Sequence, residues 1–146
     1  MFSSVLILCI GNICRSPLAE AALREALQQQ NKSIQVSSAG LHAMVEYPAD
    51  PNSVKIAQAN SLNIDQHKAQ QLTLDLVKKA DLILVMTQNQ LKQVHQDYPS
   101  SRGKVFLLHN SPATDIPDPY KQDETAFEEA WKLIQAGVAN WSQMLG

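Results

Sequence analysis

The chain has 146 residues, with 12 lysines and arginines against 14 aspartates and glutamates and a formal charge of −2. That length suits one domain spanning 1–146 with a single core, and basic runs no longer than the pair Lys78-Lys79 argue against nucleic acid, which calls for a basic stripe. Two cysteines are too few for a disulfide framework; no apolar run approaches the ~20 residues of a membrane helix. The opening MFSSVLIL lacks a basic leader and a small-residue cleavage site, so a cytoplasmic domain without membrane insertion is expected.

The first predicted element is VLILCI at 5–10, an unbroken apolar run of the kind a strand buried on both faces shows. A helix follows over 17–29, with Ser16 as N-cap, Pro17 as first helical residue, and Ala19, Ala22, Leu23 and Ala26 on one face. IQVSSAG at 34–40 reads as a second strand. Asp50 and Pro51 repeat the cap-then-proline signal ahead of a helix over 53–60, and Thr73 caps a short helix ending near Lys79. DLILVM at 81–86 is a third strand. Thr87 and Gln90 have capping-box spacing for a helix running to about Tyr98. KVFLLH at 104–109 is a fourth strand, followed by the proline-rich loop NSPATDIPDPYKQD. A last helix carries Phe127, Trp131, Ile134, Val138, Trp141 and Leu145 along one stripe. Four buried strands alternating with helices predict an α/β fold: a single-domain, doubly wound, four-stranded parallel sheet with helices on both faces.

Ligands of such folds sit at the carboxyl ends of strands, near the switch in strand order. CIGNICRSP at 9–17 leaves the first strand at such an end. A metal site is short of ligands there: Cys9 and Cys14 form no second pair, and His42, His67, His95 and His109 have no finger-like spacing. A buried turn would account for Cys9 as a small apolar residue, but not for Arg15 six positions on. An anion cradle accounts for both. A strand-to-helix loop turns backbone N–H groups inward and the helix dipole adds positive potential. Gly11 allows close backbone approach and Asn12 tolerates a left-handed conformation. Arg15 presents a planar fork to two oxygens of a phosphate, and Ser16 can donate its hydroxyl into the same ring. Such surroundings favour a thiolate, so Cys9 becomes a nucleophile facing a bound tetrahedral anion.

Cys9-x5-Arg15-Ser16 matches the signature of the protein tyrosine phosphatases, and its place near the start, with SAG at 38–40, DLILVM and the late IPDPY at 116–120, resembles the low-molecular-weight family over the whole chain. Within it the sequence is similar to bacterial members acting on tyrosine kinases of capsule and exopolysaccharide export. The resemblance implies a phosphotyrosine phosphatase without cofactor or metal, acting on a phosphotyrosine protein of that kind, and a monomer is expected. It implies Cys9 as nucleophile, Arg15 as phosphate clamp and Asp118 as general acid and then base, stiffened by Pro117 and Pro119; Asp115 reads as a solvated loop residue. Ile10, Gly11, Asn12, Ile13, Cys14 and Ser16 line the cradle, with Leu41 and Tyr120 as cleft walls. Asn12, Ser16, Ser38 and His67 form a supporting network, although Gln70 stands where the family pattern has arginine, which puts the local salt bridges in question.

Cys14 either packs in the loop or pairs with Cys9 in a reversible disulfide. Three other functions compete. Arsenate reduction needs a further cysteine pair; phosphoarginine hydrolysis goes with threonine where this chain has Ile13; a non-catalytic phosphotyrosine-binding module would have lost Cys9 or Asp118.

Overall fold

The structure, a computed structural model, describes residues 2–146. The elements run β1 (Ser4–Cys9), α1 (Arg15–Gln29), β2 (Gln35–Gly40), α2 (Pro51–Ala59), α3 (Leu74–Lys79), β3 (Leu82–Val85), α4 (Gln88–Asp97), a 3₁₀ turn (Pro99–Ser101), β4 (Val105–Leu107) and α5 (Glu124–Leu145). All strand pairs are parallel, in the order β2-β1-β3-β4. The order therefore reverses between β1 and β3, and the crevice beyond their carboxyl ends is where such a sheet takes a ligand. Cys9 is the last residue of β1 and stands at that point. No helix among the described residues is long and apolar enough to cross a membrane.

Alternation along β1 divides the core into two layers. Val5, Ile7 and Cys9 pack with α1, α2 and α5 residues such as Leu23, Ala57, Ile134 and Trp141. Leu6 and Leu8 face the other way, towards Val77 of α3 and Val94 of α4. Each such aliphatic side chain contributes about 1.5–3 kcal/mol when fully buried. Coverage is uneven on the second face. Gln35 and Ser37 of β2 are exposed there, and Phe106 of the edge strand β4 is exposed on the other face, so the expected burial on both faces holds for β1 and β3 but only in part for β2 and β4.

Two glycines bring backbones close enough to set the site. A Cβ on Gly40 would lie 2.5 Å from the Ile10 carbonyl oxygen, and one on Gly137 would lie 2.6 Å from that of Leu108. The first lets the end of β2 press against the loop leaving β1. The second seats α5 on the chain leaving β4.

The helix starts follow local chemistry with one exception. Asp50 accepts from Asn52 N, Thr73 from Leu76 N, and Asp123 from Ala126 N. Thr87 accepts from Gln90 N, but the Gln90 side chain reaches past the expected capping-box partner to accept from Met86 N at 2.8 Å. The exception is α1. It begins at Arg15 with Cys14 in the N-cap position and no side-chain cap. Ser16 is not its cap, because its hydroxyl is committed to Cys9 and Asn12.

Candidate active site

The loop joining β1 to α1 is fastened from outside by its carbonyl groups. Those of Cys9, Ile10 and Gly11 accept from the N–H groups of Leu41, His42 and Met44, each at 3.0 Å. The Asn12 carbonyl accepts from His67 Nε2 at 2.6 Å, which places that ring proton on Nε2. The Ile13 carbonyl accepts from Asp50 N at 2.8 Å and that of Cys14 from the Ser53 hydroxyl at 3.1 Å. Six consecutive carbonyls thus turn outward, and the planar trans peptide sends the N–H of each following residue the opposite way. The amides of residues 10–15 converge inward on the space above Cys9, an anion-binding nest at the start of a 15-residue helix.

Asn12 holds the curl. Its φ is 61°, as the sequence leads one to expect, and it is fully buried. Its amide nitrogen donates to Ser16 Oγ at 2.7 Å and Ser38 Oγ at 2.9 Å, while its Oδ1 accepts from Gln70 N at 2.9 Å. With both serine oxygens accepting from Asn12, each hydroxyl proton is directed elsewhere. Ser38 donates to Glu20 Oε1 at 2.5 Å, and Ser16 lies 2.9 Å from Cys9 Sγ, with its proton free to turn to the sulfur. Glu20 is held by Arg24, which also donates to the Val36 carbonyl at 2.6 Å. Gln70 does without a salt bridge: its side-chain Nε2 donates to the Ser38 carbonyl at 2.9 Å.

Arg15 is 2% exposed, so its fixed charge must be met by partners. Nη1 donates to the Ile116 carbonyl at 2.8 Å, Nη2 lies 3.6 Å from Asp118 Oδ2, and Nε has no partner among the described residues. One edge of the guanidinium is thus anchored and the other faces the ring. Asp118 stands across from it, half exposed, on a loop pinned by Ile116 N to the Met86 carbonyl. Its Oδ1 accepts from Tyr120 N at 3.1 Å, fixing the DPY turn. Asp115 is not merely solvated; it accepts from Gln88 N and so ties this loop to the start of α4.

A cleft of about 200 Å³ joins these groups: Cys9, Arg15 and Asp118 at its floor and rim, with Ile13, Met44 and Tyr120 among its walls. Leu41 is not a wall. It is buried with Leu6, Leu8 and Leu72 behind the sheet, because the turn after Gly40 sends it inward and presents His42 and Met44 to the cleft instead. Cys14 lies with Ile13, Ala69 and Phe127, and its thiol is pushed up by burial and then by Asp50. Glu20, Arg24, His42 and Met44 were not legible as site residues. Glu20 and Arg24 have only i,i+4 spacing to mark them, and the turn that presents His42 and Met44 carries no periodicity.

The family model described as "Low molecular weight phosphotyrosine protein phosphatase" matches residues 4–146. The chain belongs to this family. A probable low molecular weight protein-tyrosine-phosphatase EpsP of Ralstonia nicotianae is 46% identical over 141 residues, covering 97% of this chain and 94% of that protein. Among solved structures, the tyrosine phosphatase Wzb from Escherichia coli K30 in complex with sulphate has a TM-score of 0.94 at 36% identity, covering 100% of both chains. Vibrio vulnificus Wzb in complex with benzylphosphonate has a TM-score of 0.93 at 36% identity, covering 99% of both. The phosphatase fold extends over the chain from β1 to α5; the Ralstonia and Escherichia coli relatives are named tyrosine phosphatases, and the YwlE arginine phosphatase from Geobacillus stearothermophilus, at 24% identity, shares the fold with a TM-score of 0.89.

Proposed function

We propose that this phosphatase hydrolyses phosphotyrosine through a phosphocysteine on Cys9. The observation that carries the reading is the ring of outward carbonyls at residues 9–14, which leaves inward amides and the free edge of Arg15 around one sulfur. The phosphoryl group sits in that ring, its equatorial oxygens held by amides and guanidinium, and the Cys9 thiolate attacks phosphorus in line. Its oxygens displace the Asp118 carboxylate from Arg15; Asp118, freed of that cation, takes up a proton from solvent and passes it to the departing phenolate oxygen as the P–O bond breaks. Water then attacks phosphorus with Asp118 as base. The Ser16 hydroxyl stabilises the sulfur as it leaves.

The aromatic leaving group fits apolar walls formed by Ile13, Met44 and Tyr120; the benzylphosphonate held by Vibrio vulnificus Wzb is a phosphonate of that shape. Ile13 and Met44 offer a guanidinium leaving group no acceptor, which disfavours phosphoarginine. Arsenate reduction would lack a relay, since Cys14 is the only cysteine besides Cys9. The physiological substrate is a phosphotyrosine protein, the tyrosine kinase of a capsule or exopolysaccharide export system, met in the cytoplasm by a monomeric enzyme. Cys14, packed with Ile13, Ala69 and Phe127 and with its thiol pushed up by burial, is a poor nucleophile, which leaves Cys9 as the attacking sulfur. Peptides bearing phosphotyrosine, phosphoserine and phosphoarginine test the specificity: turnover is expected on phosphotyrosine alone, and faster turnover on phosphoarginine contradicts it.

A further inference from the structure

A groove of about 730 Å³, larger than the catalytic cleft, lies towards the amino ends of β1 and β2. It exists because α3 has only six residues and packs against β1, leaving β2 bare on that face. By register, Ser37 lies beside Leu6 and Gln35 beside Ser4, and both β2 side chains are exposed. Half-buried Leu76 contributes apolar surface to the groove, and serine and glutamine side chains line it as well.

The groove's charge is of one sign. Arg24, Lys32 and Lys79 line it and no aspartate or glutamate does, although the chain as a whole carries −2. Glu20 neutralises Arg24, but Lys32 and Lys79 have no carboxylate within ion-pair distance among the described residues. Arg24 also occupies the Val36 carbonyl, so a strand cannot simply add at that point on β2. Recognition there falls to side-chain charge. The groove reaches Ser37, three residues before Gly40, which pairs with Cys9. At ~3.3 Å per residue that is about 10 Å along the strand, a gap that roughly four to six extended residues cross with the descent into the cleft.

We propose that this bare face of β2 docks an acidic, extended stretch of the phosphoprotein substrate, on the same chain as the phosphotyrosine entering the cleft. The proposal rests on the phosphotyrosine reading and adds a second recognition site to it. Lys32 and Lys79 attract the acidic stretch, raising its local concentration at Cys9 without touching the chemistry.

The test uses two phosphotyrosine peptides with an acidic block about five residues before or after the phosphotyrosine, a block-free peptide, and a small aryl phosphate. For the Lys32→Glu, Lys79→Glu double variant, KM for at least one acidic peptide should rise about three- to tenfold at low salt, with kcat unchanged. The block-free peptide and the aryl phosphate should keep their KM, and the wild-type advantage should fade as salt shortens the screening length. Matching melting curves establish that the variant is folded. Unchanged KM for both acidic peptides overturns the proposal, and so does an equal rise for the block-free peptide. Sedimentation of wild type but not variant with phosphatidylserine vesicles, with peptide kinetics unmoved, assigns the groove to a lipid surface and also overturns it. Failure of the wild-type enzyme on the aryl phosphate would instead strike the catalytic reading.

Discussion

The two ends of the β-sheet use the same kinds of polar group to opposite purposes. At the amino end, Asp81 Oδ2 accepts from Ser3 N and the Ser3 hydroxyl, each at 2.8 Å, and from Ser4 N at 3.1 Å. Lys104 Nζ donates to the Val77 and Ala80 carbonyls at 2.6 and 2.7 Å, closing the end of α3. Donors and acceptors there satisfy one another. At the carboxyl end the carbonyls are satisfied from outside and the amides are left to face inward around Cys9, beside an Arg15 Nε without a partner. Asp81 and Lys104 are committed to closure, whereas the carboxyl end withholds its amides and Arg15 Nε for a ligand. Unpaired buried donors destabilise a fold, so the carboxyl end must be held by its surroundings, which is the work of Asn12, His67, Asp50 and Ser53.

That contrast can be broken from either side. The largest effect belongs to Cys9→Ser, which should lose roughly 10⁴- to 10⁶-fold in kcat, as deletion of a nucleophile does, while still binding inorganic phosphate; retained turnover rules out the nucleophile. Asp118→Asn should cost about 10²- to 10⁴-fold on aryl phosphates with poor leaving groups and far less on good ones. Equal losses on both would remove Asp118 from the proton-donor role. Asn12→Gly and Asn12→Ala both delete three hydrogen bonds, two of them buried, at a cost of about 1–3 kcal/mol for the partners left unpaired. The alanine should melt lower still, because only glycine accepts φ 61° without strain. Equal melting temperatures would mean the loop relaxes out of its left-handed turn.

The smallest catalytic effect belongs to the amino end. Asp81 is held below the usual carboxylate range, first by the Ser3 N–H, then by the Ser3 hydroxyl, with Ser4 N–H and Lys104 assisting. A depressed acid contributes stability that is present above its ordinary titration range and is lost as pH falls through its folded value. Asp81→Asn should therefore melt below wild type at neutral pH, with the gap closing in strong acid and kcat unchanged throughout. A gap that persists at low pH, or a change in kcat, would contradict the separation of the two ends.

What the sequence disclosed follows the same division. The cradle was legible because its parts lie within nine consecutive residues: Cys9, Asn12 with its positive φ, Arg15 and Ser16 are local chemistry. Asp118 stands more than a hundred residues from Cys9, and only the family pattern brought it forward. Ser16 looked like a helix cap because its hydroxyl is locally suited to one; its partners Cys9 and Asn12 outcompete the helix end, and α1 starts earlier. Leu41 was misplaced because one residue in a turn decides which side of the sheet a side chain meets. Gln35 and Ser37 alternate along the open face of β2, a pattern that the reading of four buried strands passed over beside the unbroken apolar runs of β1 and β3.

Acid quenching of Asp118→Asn during turnover of an aryl phosphate, followed by peptide mass spectrometry, tests the covalent step most directly, since loss of the base slows release of the intermediate. A phosphoryl group should be found on the peptide holding Cys9 and be missing from it in Cys9→Ser. Turnover with no phosphoenzyme trapped, or with the label on Cys14 or His67, would contradict the assignment of that sulfur.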